Sequence, residues 1–534
     1  MHLRLLHRAQ EGFTTVTLMG VLMVGGLLVA ATFTAVQPDI AFTKKDDDSK
    51  QAYAAAEAGV NYYLNRLGQD NSYYTKCAGV QSPSLNAVNL EWNGTGADPR
   101  IWQTIQGSTA QYTTELLAVQ DPNTAGTELC DTTKNGAGMV DPKTGTFRIR
   151  ATGRSRPAAN TNDRPVKRSI IATFRRKSFI DFLYFTDFET LDPYAYPTGG
   201  TYDPTWAGNN CNVYRPSRNS NCQDPDFIDT DSINGPLKTN DSISVCGSPD
   251  FGRDANDDIE LNGASPGWVS GCSGAAPNFK GVVDWPAGQL PMPQSNSQLE
   301  ASADPSYVFN GETKLVFNGT TVSVTNNGTT TSKPMPPSGV IYINSTSCNV
   351  GYSRQQTYTA SSYMTNPGCG NAWISGTYNS DITIGADNDV IVTDDFKSNN
   401  LSTVLGGLVA NNFVRVFHPA NSFGTNGFGG TTCTNDTLGP GAIEIDAAIL
   451  ALNHSFITDN WYCGSPLGTL TVKGAIAQKF RGTVGTHSGG TVVSGYSKAY
   501  SYNDTLRYRE PPYFINPTES AWRLVRQNEQ VPAR

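Results

Sequence analysis

Histidine is scarce in this chain: five in 534 residues, with His2 and His7 at the start and only His418, His454 and His487 beyond. Ten cysteines are present, but no two stand in a Cys-x-x-Cys pair. A zinc site needs clustered Cys or Cys/His ligands at short spacing, so none is offered. Charged residues are 16% of the chain, against about 25% in ordinary soluble domains. Basic residues are not in excess: the net charge is -8 and the pI about 5.3, so no positive field exists to hold DNA or RNA. No Gly-x-Ser-x-Gly elbow, phosphate-binding loop or His-Glu-x-x-His stretch is found. Apolar residues are not lacking. The 38% hydrophobic fraction and 52 glycines together reach about 48%, an ordinary globular value that excludes wholesale disorder. Thr, Ser, Asn and Gly fill the charge deficit, a composition common in β-rich extracellular proteins. The length allows about three to five domains.

The cysteines are Cys77, Cys130, Cys211, Cys222, Cys246, Cys272, Cys348, Cys369, Cys433 and Cys463. An even count without metal spacing points to disulfides in an oxidising compartment. Pairing in chain order would close short loops such as Cys211–Cys222 and Cys348–Cys369, although connectivity does not follow from sequence alone.

The N-terminus carries the strongest signal. Residues 1–12 hold Arg4 and Arg8, with no acid before Glu11. From Phe13 to Val36 come 24 residues without a charge. About 20 helical residues cross a hydrocarbon core, so this segment is expected to span a membrane, with the basic leader cytoplasmic and everything after it exported. It is too long for the core of a cleaved secretory signal, although Ala30, Ala31 and Ala35 keep that alternative open. Next, Lys50–Leu67 places Tyr53, Ala56, Val60, Tyr63, Leu64 and Leu67 on one face at 3–4 residue spacing, and Gly68 is the expected stop. Phe13 to Leu67 would make one helix roughly 80 Å long. Pro38 and the run Lys44-Lys45-Asp46-Asp47-Asp48 are expected to bend or loosen it.

Gly12-Phe13, at the border of the charged leader and the apolar run, resembles the processing site of type IV prepilins and pseudopilins. The piece Ala54–Gly59 (AAAEAG) resembles the N-terminal region of PilX-like minor pilins. The resemblance implies cleavage by a prepilin peptidase between Gly12 and Phe13, and N-methylation of Phe13. It also implies a long helix half in the membrane or filament and half packed on a globular head. Major pilins carry glutamate at the fifth mature position. Thr17 stands there in this chain, which points to a minor or tip subunit.

The exported part reads as mostly β. Residues 69–180 are expected to form a small antiparallel lobe, with alternating strands around Phe147–Ala151 and Val166–Phe174. A Cys- and Asn-rich β region follows over 181–335, then a β-helix-like region over 336–495. Short apolar runs bounded by Gly, Asn or Asp recur at irregular spacing, for example Gly339–Asn344, Asp381–Phe396, Gly406–Pro419 and Leu467–Gly485. They suit strands buried in stacked coils. The fold class is therefore α+β, mostly β: a long N-terminal helix, a small sheet and a large parallel β-helix or solenoid, with a β-sandwich as the alternative. The same phrases resemble the large C-terminal region of PilX-like surface proteins of Gram-positive bacteria. The aromatic tail 496–534 is expected to cap an open coil end.

Catalytic chemistry finds little support. Asp394-Asp395 ends an expected strand, and pectin-cleaving β-helix enzymes use aspartates, but adjacent strand residues point to opposite faces. Gly485-Thr-His487-Ser-Gly489 is only a loose echo of the turn those enzymes carry. No cofactor is implied. Calcium has candidates only in Asp254, Asn256 and Asp258, in a stretch lacking the glycine and distant glutamate of an EF-hand loop. Asp224, Asp226, Asp229 and Asp231 also cluster in sequence.

The expected protein is thus a non-enzymatic, membrane-anchored surface protein of a type IV pilus-like system, single-pass with its head outside. Its expected partners are the membrane, other pilin or pseudopilin subunits, prepilin peptidase, and a carbohydrate or host surface. A signal-anchored adhesin unrelated to pili and a β-helix carbohydrate-active enzyme are the alternatives.

Overall fold

The computed structural model describes residues 13–69, 101–117, 140–141, 144–160, 162–349, 351–356, 364, 366–425, 431–435, 439–488, 491–517 and 522–533; side chains of the N-terminal helix are described at 19–24 and 44–69. The fold is mostly β and divides into two compact units.

The first unit is built on α1, a single helix of 57 residues, Phe13–Gln69. Its span is unbroken through Pro38 and the 44–48 charge run, where a bend or loosening is expected from sequence. Ala52, Ala55, Ala56, Val60, Tyr63 and Leu67 are buried at the 3–4 residue spacing read from sequence, while Tyr53 and Leu64 are half-buried. This stripe lies on a five-stranded sheet ordered Gln103–Thr104, Gln111–Leu117, Thr146–Arg154, Lys167–Arg176 and Trp522–Gln530. The first three strands pair antiparallel. The close approach depends on glycine. A Cβ on Gly153 would stand 2.0 Å from the Ala52 carbonyl oxygen and 2.4 Å from the Ala56 nitrogen. One on Gly59 would stand 3.0 Å from the Tyr112 ring. Among the described residues, no helix is long and apolar enough to cross a membrane. The side chains at 13–18 and 25–43, most of the expected span, lie outside the described set.

The second unit is dominated by one curled sheet of 23 strands. One ladder within it is parallel at every step. It runs Val308–Asn310, Val340–Asn344, Ile382–Ala386, Gly406–Ala410, Ala448–Ala451, Pro466–Arg481, Tyr184–Leu191, Leu237–Thr239, Asp258–Glu260 and Val282–Asp284. A β-sandwich pairs its strands antiparallel, so that alternative does not fit. Buried Ile341, Ile343, Ile382, Ile384, Leu408, Ile449, Leu450 and Ile476 fill the interior; each such side chain contributes about 1.5–3 kcal/mol through loss of water contact.

The stacking order departs from chain order. Strands from residues 184–284 continue the ladder beyond 466–481, so the chain enters the stack in the middle and builds to one end. Residues 285–307 then return along its side to start the other end. Polar side chains seat this strap. Asn240 receives the Leu290 amide at 2.8 Å, and buried Asn296 donates to the Ala386 and Val409 carbonyls at 2.8 and 3.0 Å.

The tail also differs from the expected cap. Tyr500 and Tyr502 belong to Thr491–Tyr502, a strand inside the sheet. Thr383 donates to the Pro512 carbonyl and Arg509 pairs with Asp381, so this stretch lies against the flank of the ladder, at its third strand. Trp522–Gln530 joins the five-stranded sheet instead. A sheet edge and an open flank both need cover, and the tail supplies each with a different segment.

Candidate functional site

Four disulfides are formed: Cys211–Cys222, Cys246–Cys272, Cys348–Cys369 and Cys433–Cys463. Cys77 and Cys130 lie outside the described residues. The bridges gather beside one set of parallel strands. Cys246 follows Ile243–Val245 and Cys272 follows Trp268–Ser270, which pair in a three-stranded sheet with Asp226–Phe227. Cys369 precedes Ala372–Tyr378, and Cys463 follows Phe456–Thr458. Those two strands bracket Val390–Ser398 and Val414–Val416 in a second parallel run. Thr458 donates to Thr483, and Arg481 donates to the Pro225 and Asp226 carbonyls, so the two runs continue one another. The loops closed by these bridges lie along this side.

Its centre is a row of rings and charges. Asp192 is fully buried; it accepts from the Tyr194 amide at 2.9 Å and the Ser455 hydroxyl at 2.7 Å, and it faces His454 Nδ1 at 3.2 Å. The His454 ring stacks on Phe413 at 4.3 Å and 8°, with Tyr194 at its edge. Phe413 meets Tyr352 at 4.4 Å. Arg415 lies over Tyr352 and pairs with Asp389 and Asp459 at 2.9 and 3.1 Å. Burial drives the Tyr352 phenol well above its ordinary range. Along the same row, Arg354 covers Trp461 and Tyr462 with ring-centroid distances of 5.1 and 4.5 Å. Asn460, at φ 45°, turns the chain just before these two rings, a conformation Asn tolerates better than most residues. Its side chain locks to the Gln356 backbone in both directions at 2.9 Å.

A second charged group sits where Pro466–Arg481 meets Tyr184–Leu191, the non-sequential step of the ladder. Glu189, Arg481, Asp231 and Lys498 are brought together there, beside a cavity of about 30 Å³ lined by Tyr184, Gln478 and Tyr500 as well. That volume holds a water or two. Burial raises the Glu189 carboxyl and lowers the Lys498 ammonium, while Lys498 and Arg481 pull Asp231 below its usual range against its own burial. These groups offset one another and read as an internal polar plug.

The residues singled out from sequence fall as follows. Gly12 lies outside the described residues; Phe13 and Thr17 are in α1, with side chains outside the described set. Asp254 accepts from Asn256 in a local turn, and Asp258 is the exposed first residue of its strand. Among the described residues, no group of three or more His, Cys, Asp or Glu could hold a metal. The four clustered aspartates disperse: Asp224 pairs with Arg215 and Arg218, Asp226 accepts from Ser244, Asp229 from the Ser248 amide, and Asp231 pairs with Lys498. Asp394 is exposed, while Asp395 accepts the Glu444 amide at 2.8 Å.

One signal in the sequence goes unread. Ala386-x-Asn388-x-Val390-x-Val392 recurs 24 residues later as Ala410-x-Asn412-x-Val414-x-Val416, and the structure stacks the two turns: Asn411 on Asp387, Asn412 on Asn388, and the Phe413 amide on Asp389. The row continues from Asn388 to Asn371 at 2.7 Å. No family model, curated protein or solved structure matches this chain.

Proposed function

We propose that the curled sheet is a parallel β-solenoid and that the chain is a minor pilin-like surface protein, anchored by α1 and carrying this solenoid as an adhesive or structural head. The observation that carries the reading is α1 itself. Over the described residues Phe13–Gln69 it is one helix, uncharged by sequence through Pro38, with a stripe from Ala52 to Leu67 packed on a sheet. A helix with one half free of charge and the other half docked is what a filament or membrane anchor with a globular head requires. The four disulfides support an oxidising location for the head. Thr17 at the fifth position after the proposed cleavage supports a minor or tip place over a repeating subunit, and a head of this bulk fits a tip better than a crowded shaft. Its role is binding and display, without catalysis.

The test is Gly12→Leu, co-expressed with a prepilin peptidase. The wild-type chain should shift to the size expected after loss of residues 1–12, and the variant should not. Equal sizes for both would leave a plain signal anchor.

A further inference from the structure

We infer that Arg354, Trp461 and Tyr462 form a binding site for an anionic polysaccharide, in which the rings carry the sugar face and the guanidinium takes its carboxylate or sulfate.

Arg354 has no carboxylate partner among the described residues. Its guanidinium lies instead over the rings of Trp461 and Tyr462, and it is half-buried. The more deeply buried arginines of the head are supplied with acids: Arg175 by Asp181, Arg415 by Asp389 and Asp459, Arg218 by Asp224 and Asp241, and Arg481 by Glu189. A half-desolvated cation without an anion is costly unless a ligand brings one. Burial holds the Arg354 guanidinium below its ordinary value, and the groups acting back on it are the phenols of Tyr462 and Tyr352. Its planar fork matches a carboxylate or sulfate in two-point contact.

The site is also built to stay in place. The disulfide Cys348–Cys369 closes the loop bearing Arg354. Cys433–Cys463 fixes the residue next to Tyr462. The reciprocal Gln356–Asn460 bonds tie one loop to the other. The Trp461 indole Nε1 is buried and has no hydrogen-bond partner among the described residues. A chain of net charge -8 does not attract polyanions in general, so capture of one would need a local site of this kind.

The inference rests on reading the head as adhesive, but its test is independent of how the N-terminus is processed. Full-length protein in detergent would be titrated with polygalacturonate, dextran sulfate and neutral dextran. Binding of polygalacturonate or dextran sulfate, but not dextran, is expected, and the polymer that binds identifies the anion. Arg354→Gln and Trp461→Leu should each weaken binding at least tenfold, while Arg156→Gln, which removes an exposed arginine already paired with Asp163, should leave it unchanged. For the wild-type protein alone, the acidic monosaccharide bearing the same group should displace the polymer where galactose does not. The inference is overturned by absence of binding to both acidic polymers, by wild-type affinity in Arg354→Gln, or by displacement with galactose.

Discussion

Substituting Gly153 by alanine tests whether α1 is seated on its sheet as described. The added Cβ would lie 2.0 Å from the Ala52 carbonyl oxygen, 2.4 Å from the Ala56 nitrogen and 2.8 Å from the Ala55 Cβ. Two of these three atoms are backbone, so no side-chain rotation relieves the clash, and the helix must shift along its whole docked stripe. Overpacking usually costs about 1–3 kcal/mol and sometimes more; with backbone on both sides the upper end applies. For a unit of this size, about 3 kcal/mol corresponds to a fall of roughly 6–12 °C in its unfolding midpoint. Gly68→Ala is the matched control. It lies near the end of the same helix with nothing within 4 Å of the added carbon, so no clash and no loss of stability is expected there. Thermal unfolding followed by protease susceptibility of α1 would read both. If Gly153→Ala melts with the wild type, the helix does not approach this strand at Ala52–Ala56, and the docking argument fails.

Three further outcomes follow from the head. Asn388→Ala breaks the stacked row, leaving Asn412 Nδ2 and one lone pair of Asn371 without their partner; a urea midpoint should report a loss of about 2 kcal/mol, whereas the exposed Asn399→Ala should be neutral. Glu510 is fully enclosed, and burial raises its carboxyl to about 7 despite Arg175, 3.9 Å away. Its pKa in the fold lies above its unfolded value near 4.5, so its contribution is full below about 4.5 and is lost as the pH rises through about 7. Glu510→Gln should flatten that part of the stability–pH curve; an unchanged slope would contradict the assignment. Replacing Cys246 and Cys272 by serine opens a loop of 26-residue separation and should cost about 3 kcal/mol, with new protease cuts between positions 247 and 271.

Much of this architecture is legible in the chain itself. The stripe from Ala52 to Leu67 is readable because helical spacing and small residues coincide there, and the loops Cys211–Cys222 and Cys348–Cys369 close as chain-order pairing suggests. Buried strands such as Ile382–Ala386 and Gly406–Ala410 announce themselves as short apolar runs. Their stacking order does not. Nothing local in Tyr184–Leu191 says that it pairs with residues almost 300 positions later, because parallel pairing leaves no turn signature and both faces of the strand are buried. The 24-residue recurrence of Ala-x-Asn-x-Val-x-Val, at Ala386–Val392 and again at Ala410–Val416, is a real signal of register, hidden because it repeats only once at that spacing. Arg354 could not be singled out from sequence: its importance lies in the absence of an acid near it among the described residues, which only three-dimensional neighbours reveal. The tail misleads for a similar reason, since aromatic content marks burial but not which surface is covered.

The most direct test of the account is the N-terminal mass of the mature protein isolated from its native host. A chain beginning at Phe13 with one added methyl group on its amine is the expected result, and it would place the protein in the pilin export route with Thr17 as its fifth residue. A chain still beginning at Met1, or one beginning between Ala31 and Gln37, would contradict the central claim: the first leaves a plain anchor, the second a free secreted protein.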